Sequence, residues 1–311
     1  MIICAVGGFI DISVITVAPI ALAIGKKSGY HKEALLLAMI GGGKAGNIIS
    51  PNPNTIAVSE AFKVDLTSLM MKNFISAICA VVVTILLSTM LSKKQGVQVT
   101  ENDLEQKEDK NLPSFIQAVA GPAVVVILLA LRPVASIVID PLIALPVGGV
   151  VCALACGQIK NIREYAEFGL GKVVGVSVLL IGTGTIAGII KASALQYDVV
   201  HILKMANMPA FLLAPIAGIL MSGATASTTA GATIGAQTFA GTLIKSGVSA
   251  LSAGAMVHAG ATVIDSLPHG SFFHATGGAA GLEIKERMKL IPYEMCVGLT
   301  STVVAVMMYV I

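Results

Sequence analysis

The sequence predicts an all-α polytopic membrane protein, an inverted-repeat-like carrier with broken or re-entrant helices. Three observations predict it. Of the 311 residues, 55% are hydrophobic and 12% are charged, against roughly 25% charged in an ordinary soluble chain. Apolar runs near the length that crosses a hydrocarbon core, about 20 residues, recur from end to end. Other apolar pieces stop short in small polar stretches, and backbone that leaves a helix at membrane depth survives only where protein or a solvated path surrounds it.

The first run, Ile2–Ile24, is apolar from the outset, with no basic start and no small-residue cleavage site, so it does not read as a signal peptide. It reads as a span entered midway, and predicts the C-terminal portion of a longer carrier or an internally started copy of one. Asp11 sits within it with no basic neighbour in sequence and must face protein, either to couple protons or to bond a neighbouring helix. Next, Ala34–Ile40 leads into the polar run Gly41–Thr55, GGGKAGNIISPNPNT. Phe74–Leu91 is a full span. Ser92–Ser114 carries dense mixed charge and few apolar residues, and predicts a hydrophilic linker, residues 92–114, between the halves of one carrier domain covering 1–311.

Beyond the linker, Phe115–Leu131, Val134–Cys156 and Val173–Ile190 read as spans, and Ile291–Ile311 as the last. Between them Pro209–Met221 leads into GATASTTAGATIGAQT, and Val248–Ile264 leads into DSLPHGSFFHATGG. The flanks of the linker share a pattern of short apolar helix, small polar run and amphipathic piece. Carriers built from inverted repeats place substrate at paired interruptions of this kind. Basic residues at Lys26, Lys27 and Lys32, Lys93 and Lys94, Lys160, Arg163 and Lys172, and Lys285, Arg287 and Lys289 mark cytoplasmic ends under the positive-inside rule. They agree with one another only if some broken pieces are re-entrant, so orientation stays open.

The interruptions carry the chemistry. In Ser50–Thr55 two prolines push the preceding residues out of helix, while Ser50, Asn52, Asn54 and Thr55 offer neutral donors and acceptors suited to hydroxyls and a carboxylate; the same residues also make an ordinary turn. A helix starting at Thr55 would add free N–H groups and a positive dipole end. In Ser222–Thr238 the consecutive Ser227, Thr228 and Thr229 suit substrate contact, although small residues also serve helix packing. In Val263–Gly278, Asp265 and His269 suit proton coupling, a histidine titrating near neutrality beside a carboxylate, and His269 also suits substrate contact. Lys44 is the lone basic residue of the three interruptions, placed to meet a substrate carboxylate or to snorkel to the interface. His258, among alanines and glycines, reads as a packing histidine.

Other classes find less support. His269 and His274 lack the His-Glu-x-x-His spacing of a metal site, the five cysteines read as free thiols in apolar surroundings, and no cofactor is called for. No P-loop is present, so coupling should come from an ion gradient. The net charge of +3 is scattered through the chain and gives no nucleic-acid footprint.

At Gly7–Gly29, at Ser50–Ala57 with the following AFKVDL, and at Ala259–Gly278 with its Leu267-Pro268-His269 element and the downstream EIKERMK, the chain resembles the gluconate permease (GntP) family of organic-acid:proton symporters, within the larger ion-transporter superfamily. Family members are usually longer at the N-terminus, and His274 stands where they mostly carry apolar residues. The resemblance implies proton-driven secondary transport of a small hydroxy or sugar acid, such as gluconate or 3-hydroxybutyrate, across the cytoplasmic membrane of a bacterium. Its partners would be the acid anion, the proton, the lipid bilayer and further copies of the chain. The rival readings are a non-transporting membrane fragment and an intramembrane enzyme built on Asp265, His269, Ser271 and His274.

Overall fold

A computed structural model describes residues 1–6, 9–104, 113–135, 137, 139–205 and 207–311. Among the described residues it is all helix and turn, with no strand. In chain order the helices are α1 (Ile2–Ala5), α2 (Ile10–Ser28), α3 (Lys32–Asn47), α4 (Pro53–Phe62), α5 (Leu66–Lys72), α6 (Phe74–Ser92), α7 (Phe115–Ala135) and α8 (Pro141–Ala155). There follow α9 (Ile162–Ala192), α10 (Leu195–Met205), α11 (Leu213–Thr225), α12 (Thr228–Lys245), α13 (Ala250–Gly260), α14 (Ser271–Ala279), α15 (Ile284–Met288) and α16 (Ile291–Val310). They fall into two units, one of Met1–Glu105 with Gly182–Ile311, the other of Gln106–Ile181.

Of the spans expected from sequence, Phe74–Leu91 and Ile291–Ile311 become α6 and α16, and among the described residues the stretches Phe74–Ser92 and Ile284–Val310 are long and apolar enough to cross a membrane. The others differ. The first run is divided, since α1 ends at Ala5 and α2 starts at Ile10. The run from Val134 yields a helix from Pro141, where Asp140 caps the first turn through Leu142 N and Pro141 supplies a helix-ready φ. Val173–Ile190 is the later part of the longer α9.

The membrane reading shows in which faces are exposed and which are buried. On α6, Ser76 and Thr84 are buried while Ile75, Ile78, Val82, Ile85 and Leu86 are exposed. On α16, Ser301 and Thr302 are buried while Leu299, Val303 and Met307 are exposed. A water-facing helix does the reverse, so these apolar faces suit lipid and the polar faces suit neighbouring helices.

Three of the apolar clusters among the described residues position the helices of the larger unit. Val58, Phe62 and Leu69 of α4 and α5 pack with Ala217 of α11, Phe239 and Leu243 of α12 and Met256 and Val257 of α13. Ile10 and Val14 of α2 pack with Leu36, Leu37 and Ile40 of α3 and with Leu290. Ala45 and Ile48 join Ala77 and Ala80 of α6 and Val297 of α16. The smaller unit holds the α7–α8 pair around Val125 and Ala144.

Backbones meet closely where glycine replaces a side chain. A Cβ at Gly298 of α16 would collide with the Thr262 carbonyl and the Val263 Cα, neither of which can yield as a side chain would. We expect Gly298→Leu to destabilise the fold by about 3 kcal/mol or more, at the upper end of overpacking costs. The check is recovery of monodisperse protein from detergent, which should fall sharply; wild-type recovery would mean that α16 can move off the 261–270 segment.

The linker is less free than its composition suggests. Past α6 it runs back along the start of α3: Lys32 N donates to Val97 O at 2.8 Å and Val97 N to Glu33 Oε2 at 2.9 Å. His31, buried, lies between Glu33 Oε2 at 2.9 Å and the Leu91 carbonyl at 2.8 Å. Lys26 pairs with Glu101, and Lys32 Nζ reaches Asp103 at 2.6 Å and the Gly281 carbonyl at 3.2 Å. Burial raises the Asp103 carboxyl, but Lys32 and two bonds from Thr100 outweigh it and hold it at about 2. Residues 105–112 of the expected 92–114 linker lie outside the described residues.

Candidate functional site

The three interruptions are all present, and all are shorter in extent than the sequence suggests. Gly41–Asn47 remains helical as the end of α3, so the first break is only residues 48–52. Of Ser222–Thr238, most is helix in α11 and α12, and the break is residues 226–227, with Ala226 in the left-handed region at φ 46°. The third break, residues 261–270, is the longest. The first two breaks lie between α3 and α4 and between α11 and α12, at the two places paired by pattern in the sequence, and the third joins α13 to α14.

In the first break most of the polar side chains bond one another, while Asn47 Nδ2 and Asn54 Oδ1 are buried with no hydrogen-bond partner among the described residues. Asn52, fully buried, caps α4 by accepting from Asn54 N at 2.9 Å and Thr55 N at 3.0 Å, and it also accepts from Thr55 Oγ1 at 3.2 Å. Its amide nitrogen donates to Asn47 O at 2.8 Å and Ser50 Oγ at 2.6 Å. The helix thus starts at Pro53, not Thr55, with proline at its first position where no N–H is missed. Asn54 Nδ2 donates to Asn47 Oδ1 at 3.0 Å, and the same oxygen lies 3.3 Å from His258 Nε2 of α13. Ser50, Asn54 and Thr55 are each at most 1% exposed.

The breaks converge on Asp265. Its Oδ1 lies 2.6 Å from Lys44 Nζ of α3 and accepts from Ser266 Oγ at 3.0 Å; its Oδ2 accepts from Thr228 Oγ1 at 2.6 Å. Lys44 and Asp265 are both 1% exposed, so the lysine does not snorkel. It holds an internal carboxylate and also donates to the Thr262 carbonyl at 2.6 Å and, more weakly, to the Glu294 carbonyl at 3.5 Å. One ion pair therefore ties the helix before the first break, the first residue after the second, and the middle of the third. Taking two charges out of water is costly, and the geometry offsets it only because the remaining polar atoms are bonded too.

The other expected residues lie around this pair. Ser227 spends its hydroxyl on capping α12 through Ala230 N at 3.3 Å, and it and Thr228 are half-buried, while Thr229 is buried. His269 is exposed, and the bonds to Asp265 come from Lys44, Thr228 and Ser266 and not from it. His274 bonds the Pro268 carbonyl at 2.8 Å. Asp11 is half-buried and accepts from the backbone N–H of Ile12 at 2.9 Å.

Sequence reading missed a second buried pair beside the first. Arg287 of α15 engages both carboxylate oxygens of Glu294 on α16, donates to Thr276 Oγ1 at 3.4 Å and lies over the Phe273 ring at 4.9 Å. The signal was available: Glu294 is an ionisable residue at the start of an apolar run, as telling as Asp11. Elsewhere, a groove of about 1010 Å³ in the smaller unit is lined by Gln117, Cys152, Tyr165 and apolar neighbours, with no charged residue among its lining.

A family model described as GntP family permease matches residues 1–311. The chain is also similar to an uncharacterized transporter of Haemophilus influenzae, 52% identical over 309 residues, which cover 99% of this chain and 74% of that protein.

Proposed function

The chain belongs to the GntP permease family, an integral membrane transporter and not an enzyme, and from that premise we propose that it carries a small hydroxy or sugar acid, such as gluconate or 3-hydroxybutyrate, together with protons. The acid is taken up across the cytoplasmic membrane of a bacterium by alternating access. The observation that carries this reading is the convergence of three helix breaks on one buried Lys44–Asp265 pair. Broken helices in carriers present backbone and polar side chains to a substrate near the bilayer midplane, and a lysine there supplies the charge a carboxylate needs.

In this reading Thr228 and Thr229 face the acid, with Ser227 fixing the start of α12 beside them. Ser50, Asn52, Asn54 and Thr55 form the opposite wall, holding its shape more than touching the cargo. Asp265 takes the proton. His269, exposed on the 261–270 segment, stands on the approach to the pair, and Asp11 is a second, outlying proton group.

The test is uptake of labelled gluconate and labelled 3-hydroxybutyrate into proteoliposomes holding this chain, with and without an inward proton gradient, each acid competed by the other. Gradient-dependent accumulation of either supports the proposal and ranks the two. Uptake that ignores the proton gradient but follows an inward sodium gradient would replace the proton, and no uptake of either acid by well-folded protein would remove both substrates.

A further inference from the structure

Resting on that transport reading, we infer that Lys44 is the cation that takes the substrate's carboxylate, that Asp265 occupies it when no substrate is present, and that a proton on Asp265 is what makes the exchange possible. The cargo this fits is a monocarboxylate, and the exchange fixes one proton per anion.

The argument is one of charge count in a buried place. With Lys44 and Asp265 each 1% exposed and 2.6 Å apart, the empty site is neutral. Among the described residues, the groups around the pair leave no second exchangeable charge. From α3 comes Lys44 itself, and from α12 the Thr228 hydroxyl. From α16 comes the Glu294 backbone carbonyl, its carboxylate being held by Arg287 of α15. From α13 comes His258, which lies on Asn47, and from α14 His274, which lies on the Pro268 carbonyl. His269 of the same segment as Asp265 is exposed.

Consider what may enter. A proton alone leaves Lys44 positive and unpaired in a buried site; an anion alone leaves two carboxylates against one ammonium. Both half-loaded forms carry an uncompensated buried charge, which is strongly unfavourable. With both, a proton from water bonds to Asp265, its contact with Lys44 is given up, and the incoming carboxylate accepts from the freed ammonium. The loaded site is neutral again. Empty and fully loaded forms are thus the two that can rearrange, which is what coupling without slippage requires. A dicarboxylate would bring a second negative charge with nothing to meet it. Thr228, half-buried, donates to Oδ2 of Asp265, the carboxylate oxygen that Lys44 does not hold.

The experiment compares wild type, Asp265→Asn, Lys44→Met and the double variant in proteoliposomes, using labelled 3-hydroxybutyrate and labelled gluconate. In wild type a gradient of one pH unit should give about tenfold accumulation, the factor one unit of pH is worth. A potassium–valinomycin potential should leave it unchanged, and excess succinate should not compete. Asp265→Asn mimics the protonated aspartate, so it should lose the accumulation yet keep a slower acid-for-acid exchange whose rate no longer depends on pH between 5 and 8. Lys44→Met should lose both. Because it strands a buried carboxylate at a cost to folding, the uncharged double variant stands beside it, expected to fold and to exchange nothing.

The inference is overturned by wild-type uptake that responds to the potential, by accumulation in Asp265→Asn, by exchange in the double variant, or by a folded Asp265→Asn that exchanges nothing, which would make the pair a structural tie. Wild-type protein that moves neither acid strikes the transport reading itself, whereas active wild type with any of those results strikes the exchange alone.

Discussion

Replacing Arg287 with methionine should leave little folded protein, and the damage should come from the partner left behind. Glu294 is fully buried and both its carboxylate oxygens are engaged by the guanidinium. Removing one member of such a pair costs about 3–5 kcal/mol, because the survivor is stranded where water cannot reach it. That is a large fraction of the stability of a typical domain. Thermal unfolding of detergent-solubilised protein, followed with a thiol-reactive dye on its five cysteines, would show the melting point fall well below wild type. Changing both partners together, Arg287→Met with Glu294→Leu, should recover most of the loss, since apolar replacement of a whole buried pair is often neutral or better. If the single variant melts like wild type, the pair is not dry, and solvent reaches the α15–α16 turn.

Asn52→Ala should be nearly as damaging, and in a way that separates structure from binding. Read from sequence, Asn52 belongs to the substrate and its loss should weaken affinity. In the structure its carbonyl oxygen caps α4 and its amide nitrogen holds Asn47 and Ser50. Losing the cap costs about 1 kcal/mol, and each buried partner left without a bond adds about 1–3 kcal/mol. The expected outcome is a lower melting point and fewer working carriers, with the KM for the acid in the surviving population close to wild type. A raised KM at unchanged stability would return Asn52 to direct contact with substrate.

These two residues show what was legible in the sequence. Continuous apolar runs gave α6 and α16 directly, and the presence of three interruptions followed from polar residues set in apolar flanks. Their lengths did not follow. Glycine costs a helix about 1 kcal/mol relative to alanine, so GGGKAGN reads as irregular chain, yet α3 continues through it because the missing side chains let Thr84 of α6 and Ile10 of α2 lie against its backbone. Thr and Gly mislead in the same way in α12, where a Cβ at Gly231 would meet Ser222. Tertiary packing overrides local propensity at both places. The Lys44–Asp265 pair was beyond reach for a different reason: its members stand 221 positions apart, and no local pattern ties them. Each drew notice singly as a charge inside an interruption. Glu294 failed to draw notice only because the run around it looked like a complete span.

The two helix breaks that look alike in sequence differ in how firmly they are closed. The break at 48–52 is stitched from inside by Asn47, Ser50, Asn52 and Thr55, all buried. The break at 226–227 consists of a left-handed alanine and a half-buried serine, with the hydroxyl of the next residue held by a carboxylate that is itself shared with a lysine. A left-handed non-glycine residue costs on the order of 1–3 kcal/mol to maintain, so this corner is under tension while its counterpart is at rest. The likeness between the two is one of outline: one corner is a wall, and the other is sprung like a latch.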